Sequence, residues 1–287
     1  MTNKSLLGLS PFGIFVNSNN SIYVLSQQTG KIHIWQNENH LNPTNTISGN
    51  LIFPLSLFVT TNGDIYVENG KNERVDKWIV KTEKWISAMN VNVLAHCSGL
   101  FVDIYESLYC SIQTYHRVDK KWSNGKTATI AGTGVQGSES NMLKHPRGIF
   151  VDINLDLYVA DQYNNRIQLF RLNQQNGITV AGNGSKSVTI ELNLPTGIVL
   201  DGDQHPFIVD CGNSRIIGSD ENGFRCIFGC SGSGPTNDKL SGPYSMSFDS
   251  YGNIYVMDAG NNRAQKILKN KPYSKSFLLI SLGKILK

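Results

Sequence analysis

The sequence repeats itself, and the period of that repeat narrows the available folds more than any other feature. The clearest unit reads Pro146-Arg147-Gly148-Ile149-Phe150-Val151-Asp152, then Leu157-Tyr158-Val159-Ala160-Asp161. It continues Asn164-Asn165-Arg166-Ile167-Gln168-Leu169-Phe170, then Ile178-Thr179-Val180-Ala181-Gly182. Each run is short, rich in β-branched and aromatic residues, and closed by Asn, Asp or Gly, which reads as a strand bounded by turns. The last unit repeats the pattern from Pro243 to Asp249, Asn253 to Asp258 and Asn261 to Arg263. A small residue in the first run aligns at Gly13, Ser56, Gly99, Gly148, Gly197 and Ser245, with spacings of 43, 43, 49, 49 and 48. In the second runs an aliphatic residue followed by Tyr recurs in five of six units, so these are copies of one element.

Six four-stranded units at this period predict an all-β fold, a six-bladed β-propeller of four-stranded antiparallel blades. A lone blade cannot bury both of its faces. A closed ring packs each blade between two neighbours and removes long exposed edges. The chain, residues 1–287, is expected to form one domain with blades near 8–48, 51–88, 94–132, 143–182, 192–229 and 240–282. Phe277 to Ser281 is expected as the last strand of blade six, with Leu6 to Leu9 helping to latch the ring.

The motif Pro-x-Gly-Ile-Phe-Val-Asp, Leu-Tyr-Val-Ala-Asp, Asn-Asn-Arg-Ile-Gln, Thr-Val-Ala-Gly resembles the NHL repeat, and the whole resembles an NHL/TolB-like propeller. The resemblance runs over about residues 8–282, sharp in blades four and six, fair in five and degenerate in one to three. Asp161, Asn165 and Arg166, with Asp258, Asn262 and Arg263, recur at the turn between second and third strands, as do Asp210, Ser214 and Arg215. Asp and Asn cap turns through side-chain-to-backbone bonds, and Arg can bind carbonyls or the preceding Asp. A group repeated around the ring is read as blade-building. Function should show instead as something unique to one or two blades.

Each reaction class leaves a pattern that can be sought. Propellers of the NHL type include a zinc-dependent peptidyl-hydroxyglycine lyase, which implies His just before the first-strand small residue in several blades. Those positions here are Phe12, Leu55, Ser98, Arg147, Thr196 and Tyr244. The six histidines, His33, His40, His96, His116, His145 and His205, read as falling at different offsets in their blades, so they are expected at loop or solvent-facing positions rather than as a ligand ring. Gly132 to Gly137 matches GxGxxG without a following helix, so it reads as an inter-blade loop. A calcium set of the lactonase type is not assigned, because Glu68, Asp161, Asp210 and Asp258 read as parts of the repeat. No metal, cofactor or catalytic residue is expected.

The formal charge of +4, with 17% charged residues, is too weak to demand a nucleic-acid partner. Some NHL propellers read single-stranded RNA on a basic, aromatic face. The matching cations are Lys71, Arg74, Lys77, Lys81 and Lys84 with Trp78 and Trp85, then Lys120, Lys121 and Lys126 with Trp122. Glu73, Asp76 and Glu83 dilute that field, so RNA is the lesser reading. The expectation is a non-catalytic module that binds a protein or small ligand on the propeller face, within a larger protein. Phe12, Arg147 and Tyr244 are its candidate contacts, since aromatics and Arg dominate binding hot spots. The alternatives are a substrate-recognition propeller as in NHL-type ubiquitin ligases, an RNA reader, and a zinc- or calcium-dependent lyase.

Of five cysteines, Cys97 and Cys110 are expected on neighbouring strands of blade three, and Cys226 and Cys230 flank a short loop. Both pairs predict disulfides and so an extracellular or secretory setting, with a cytoplasmic one as the alternative. Met1 to Ser10 lacks the apolar run of a signal peptide, and no run reaches the roughly 20 residues that span a bilayer.

Overall fold

The structure is a computed structural model; it describes residues 11–36, 42–91, 96–186 and 189–269, and the backbone of the strand Phe277–Ile280. Six antiparallel four-stranded sheets form the ring, each a simple meander in sequence order. Blade one comprises β1 (Gly13–Val16), β2 (Ile22–Ser26), β3 (Lys31–Trp35) and β4 (Asn45–Ser48). Blade two comprises β5 (Leu57–Val59), β6 (Ile65–Asn69), β7 (Arg74–Ile79) and β8 (Lys84–Asn90). Blade three comprises β9 (Cys97–Val102), β10 (Leu108–Ile112), β11 (Arg117–Lys121) and β12 (Thr127–Ala131). Blade four comprises β13 (Pro146–Val151), β14 (Leu157–Asp161), β15 (Arg166–Phe170) and β16 (Ile178–Gly182). Blade five comprises β17 (Pro195–Leu200), β18 (Pro206–Asp210), β19 (Arg215–Asp220) and β20 (Gly223–Phe228). Blade six comprises β21 (Pro243–Phe248), β22 (Ile254–Asp258), β23 (Arg263–Lys269) and β24 (Phe277–Ile280). Leu6 to Leu9 and Ser281 lie outside the described residues.

The core is partitioned by blade interface. Ile14, Val16, Val24 and Trp35 of blade one pack with Tyr255, Met257 and Ala264 of blade six. Five further clusters fill the other five interfaces in the same way. The innermost strands touch their neighbours around the axis, β1 against β5 and β21, and β13 against β9 and β17. That crowding explains the aligned small residue. A Cβ on Gly148 would lie 2.6 Å from the Thr196 carbonyl oxygen, and one on Gly99 would lie 2.5 Å from that of Arg147. Where the position is Ser, the hydroxyl uses the closeness. Ser56 Oγ donates to the Cys97 carbonyl at 2.7 Å, and Ser245 Oγ to that of Phe12 at 2.5 Å. The ring closes between blades one and six, where Val16 N donates to Ser247 Oγ at 2.9 Å.

The two ends of the ring differ. One end carries the first-to-second-strand turns, several of them built on an Asp or Asn. Asp103 Oδ1 accepts from Tyr105 N and Ser107 N, both at 2.9 Å, and Asp152, Asp201, Asp249 and Asn17 repeat that turn. Asp201, Asp203 and His205 gather there in blade five. The other end carries the first-strand starts and the second-to-third-strand turns. Five of those turns are single 3-10 segments closed by a left-handed residue: Glu73, His116, Asn165, Ser214 and Asn262.

Candidate functional site

The repeated Asp and Arg knit each of these turns to the inter-blade loop beside it. Asp161 Oδ1 accepts from Lys144 N at 2.6 Å, and Oδ2 from Asn164 Nδ2 at 2.7 Å and Arg166 Nε at 2.8 Å. Arg166 spends its other nitrogens on the carbonyls of Ser138, Glu139 and Met142. Asp258 and Arg263 repeat the set in blade six, and Asp210 and Arg215 a shortened form in blade five. Asn165 and Asn262 supply the left-handed turn residue, at φ of 51° and 52°. These side chains are consumed in the scaffold.

Inside the ring, the first strands enclose an axial cavity of about 380 Å³. Its floor is an aromatic arc. Phe15, Phe58, Phe101 and Phe150 come from four consecutive blades, with ring centroids 5.0, 4.8 and 5.2 Å apart in turn. Val199 and Ser247 complete that level in blades five and six, paired in register with Phe207 and Tyr255 as Phe150 is with Tyr158. The mouth is rimmed by Phe12, Leu55, Ser98, Thr196 and Tyr244.

Of the three sequence candidates, Phe12 and Tyr244 line this mouth, and Arg147, outside the cavity lining, reaches Tyr244. Phe12 and Tyr244 meet edge to face with centroids 4.5 Å apart. The Arg147 guanidinium lies 5.3 Å from the Tyr244 ring centroid and donates to the Tyr244 hydroxyl. Its Nε donates to Gln162 Oε1 at 3.1 Å. Burial pushes the Tyr244 hydroxyl pKa up, and the neighbouring Arg147 opposes that. Cys211, the free cysteine, is near enough to Arg147 and Tyr244 to interact electrostatically, and burial raises its thiol pKa.

Two of the histidines correct the sequence reading. His96 and His145 occupy the same place in adjacent blades, three residues before Gly99 and Gly148. Glu68 is also misread as part of the repeat. The residue equivalent to Asp161 is Asn69, since both end the second strand and pair with the first residue of the third. Glu68 takes an ordinarily small or apolar place, that of Ala160 and Met257. It is 2% exposed, accepts from Leu55 N at 2.8 Å, and lies 3.0 Å from His96 Nδ1. Burial raises the Glu68 pKa, and the Glu68 carboxylate in turn raises that of His96.

The other imidazoles at this end are biased the opposite way. His145 Nδ1 lies 3.2 Å from Gln113 Nε2, and His145 N donates to His116 Nδ1 at 3.2 Å. His145 stacks on Tyr163 at 4.4 Å. Burial lowers both pKa values, and the cations Lys144 and Arg147 lower that of His145 further. His33 corrects the expectation of a loop or surface place. It sits buried on β3 at 5% exposure, with Nδ1 3.1 Å from Thr46 Oγ1. His40 lies outside the described residues.

The basic residues of blades two and three are partly committed. Arg74 pairs with Asp76 at 2.7 Å, Lys77 with Asp64 at 2.9 Å, and Lys120 with Asp103 at 3.0 Å. Trp78 packs on Trp85, whose Nε1 donates to the Ser48 carbonyl of blade one at 3.2 Å. Both expected disulfides are present, Cys97–Cys110 across β9 and β10, and Cys226–Cys230 around Gly229.

No family model matches the chain, and no curated protein matches it. Solved structures do match it in fold. A catalytically inactive virginiamycin B lyase from Staphylococcus aureus with quinupristin superposes with a TM-score of 0.66 at 13% identity, over 98% of this chain and 87% of the lyase. A protein of unknown function from Bacteroides thetaiotaomicron gives 0.73 at 14% identity, over 92% of this chain and 71% of that one. An auxiliary nutrient binding protein from the same organism gives 0.66 at 14% identity, over 91% and 69%. At these identities the likeness is one of architecture. The chain is a six-bladed β-propeller.

Proposed function

We propose that this chain is an NHL-type propeller that binds a small molecule, or one side chain of a protein partner, at the mouth of its axial cavity. One observation carries the reading. Phe12, Arg147 and Tyr244 stand at equivalent positions of blades one, four and six and are not repeated in the others; Phe12 and Tyr244 meet on the rim of a largely apolar cavity, and Arg147 holds Tyr244 from beside it. A concave apolar pocket with a few convergent polar groups is the usual form of a ligand site. A nutrient binding protein among the structural neighbours agrees with this use of the fold. Fold alone does not assign function. The two disulfides support a place outside the reducing cytoplasm. Among the described residues no helix is long and apolar enough to cross a membrane.

Binding without turnover is the favoured reading, because no His stands at the ring position before the small residue. RNA is a weaker partner, since several cations expected for it are held by carboxylates. A catalytic reading is favoured by one observation, the buried Glu68 beside His96, since a carboxylate that orients an imidazole suits acid–base chemistry. A thermal-shift screen of small metabolites tests the proposal, with Ser98→Tyr as the control that fills the mouth. Ligands that stabilise the wild type and not a folded Ser98→Tyr support it. Stabilisation that persists in Ser98→Tyr places the site elsewhere, and consumption of a ligand in the screen would favour the catalytic reading.

A further inference from the structure

The chain has eight arginines, and what each one faces separates Arg147 from the rest. Arg74, Arg117, Arg166, Arg215, Arg225 and Arg263 each pair with an aspartate. Arg171 is exposed to water. Arg147 is half-buried, and the hydrogen-bond partners of its guanidinium are two neutral groups, Gln162 and Tyr244. Among the described residues no carboxylate lies within 4 Å of its guanidinium. A guanidinium drawn partly out of water without a counter-charge is poorly compensated, and a planar carboxylate matches its fork of donors.

The surroundings do not supply that counter-charge. Lys144 adds a second cation close enough to depress the His145 pKa together with Arg147. Glu68 is the carboxylate near enough to act on Tyr244, but Leu55 N and His96 hold its two oxygens. Beside the Arg147–Tyr244 contact, the cavity between the mouth and the phenylalanine arc, which Tyr244 lines, is largely apolar, and at about 380 Å³ it suits a small ligand.

We propose that the missing counter-ion is the ligand's, and that the mouth binds an amphipathic monocarboxylate. Its carboxylate sits on Arg147 in exchange for the Tyr244 hydroxyl, and its apolar part lies in the axial cavity against Leu55 and Phe101. This inference rests on the reading of the mouth as a ligand site.

Calorimetry on the intact chain at pH 7.5 tests it with three probes: 4-phenylbutyrate, its amide 4-phenylbutanamide, and acetate. The acid is expected to bind at least tenfold tighter than the amide, with acetate giving no measurable binding. Arg147→Gln is expected to level the acid with the amide, and Arg147→Lys to restore part of the preference, each with folding checked by circular dichroism. Equal binding of acid and amide to the wild type, or a preference that survives Arg147→Gln, overturns the carboxylate assignment and leaves the cavity reading standing. Binding of none of the three overturns both. Acetate binding as tightly as 4-phenylbutyrate overturns the part of the assignment that places an apolar group in the cavity.

Discussion

Arg147 of blade four reaches over blade five to Tyr244 of blade six, its guanidinium 5.3 Å from the ring centroid and bonded to the hydroxyl. Blades four and six are not neighbours in the ring, so this contact ties the innermost strands together across the axis. A half-buried cation over an aromatic face contributes about 1 kcal/mol. A denaturant double-mutant cycle with Arg147→Met and Tyr244→Leu, which removes the aromatic face, is expected to give a coupling of about 1 kcal/mol. Additive losses would show that the contact holds nothing.

The phenylalanine arc is expected to bear weight as well as close the cavity. Phe101 touches both Phe58 and Phe150, so it is the link whose loss breaks the arc in two places. Truncating it removes a large apolar side chain and leaves a void. Phe101→Ala is expected to destabilise the propeller by about 3 kcal/mol in urea unfolding. Val199 already stands at the equivalent place in blade five, so Val199→Ala is expected to cost about 1–2 kcal/mol.

Much of this arrangement could be read from the sequence, and the reasons for the misses are specific. The ring was legible because each blade needs a small residue where first strands crowd, and five of the six carry a Tyr at one place on the second strand. Phe12, Arg147 and Tyr244 drew notice because the position before the small residue differs in every blade, and they are its aromatic and arginine members. Glu68 was missed because it stands one residue before the repeat's carboxylate position, a shift that turns its side chain to the other face of the strand. The arc was in view as Phe two residues after the aligned small residue in four blades. Only the closed ring shows that this position faces the axis.

The repeated aspartates are expected to govern stability and not binding. Asp161 is fully buried and its partner Arg166 is 6% exposed. Removing one charge of a buried, hydrogen-bonded pair typically costs about 3–5 kcal/mol, because the other is left uncompensated. Asp161→Asn is expected to lose that much in chemical unfolding, with ligand affinity at the mouth unchanged for the folded fraction. A selective loss of affinity at intact stability would reassign Asp161 to the site.

The two disulfides should differ in their response to reductant. Cys97 and Cys110 are both fully buried, whereas Cys230 is exposed. A thiolate must reach a sulfur atom to exchange, so access sets the order. Under a dithiothreitol titration with alkylation and mass spectrometry, Cys226 and Cys230 are expected to be labelled first. Labelling of Cys97 and Cys110 should require unfolding. Simultaneous labelling of all four would mean that the bridge in blade three opens without global unfolding.

Glu68 and His96 should make stability fall as pH rises. Both groups hold their protons more tightly in the fold than in the unfolded chain: Glu68 because of burial, His96 because the Glu68 carboxylate accepts from its Nδ1. A group whose pKa is raised by folding adds stability that is complete below its unfolded value and lost as pH climbs through its folded value. The loss therefore begins above 4.5 for Glu68 and continues above 6.5 for His96. Above that second range the pair becomes a buried carboxylate beside a neutral imidazole. Glu68→Gln cannot ionise, so its melting temperature is expected to decline less between pH 5 and 9 than that of the wild type. The His96 pKa, followed by NMR, should fall in the same variant. His96→Gln leaves the carboxylate buried without its partner and is expected to be the least stable of the three at pH 7. An unmoved His96 pKa in Glu68→Gln, with parallel melting profiles, would show that the two groups titrate independently.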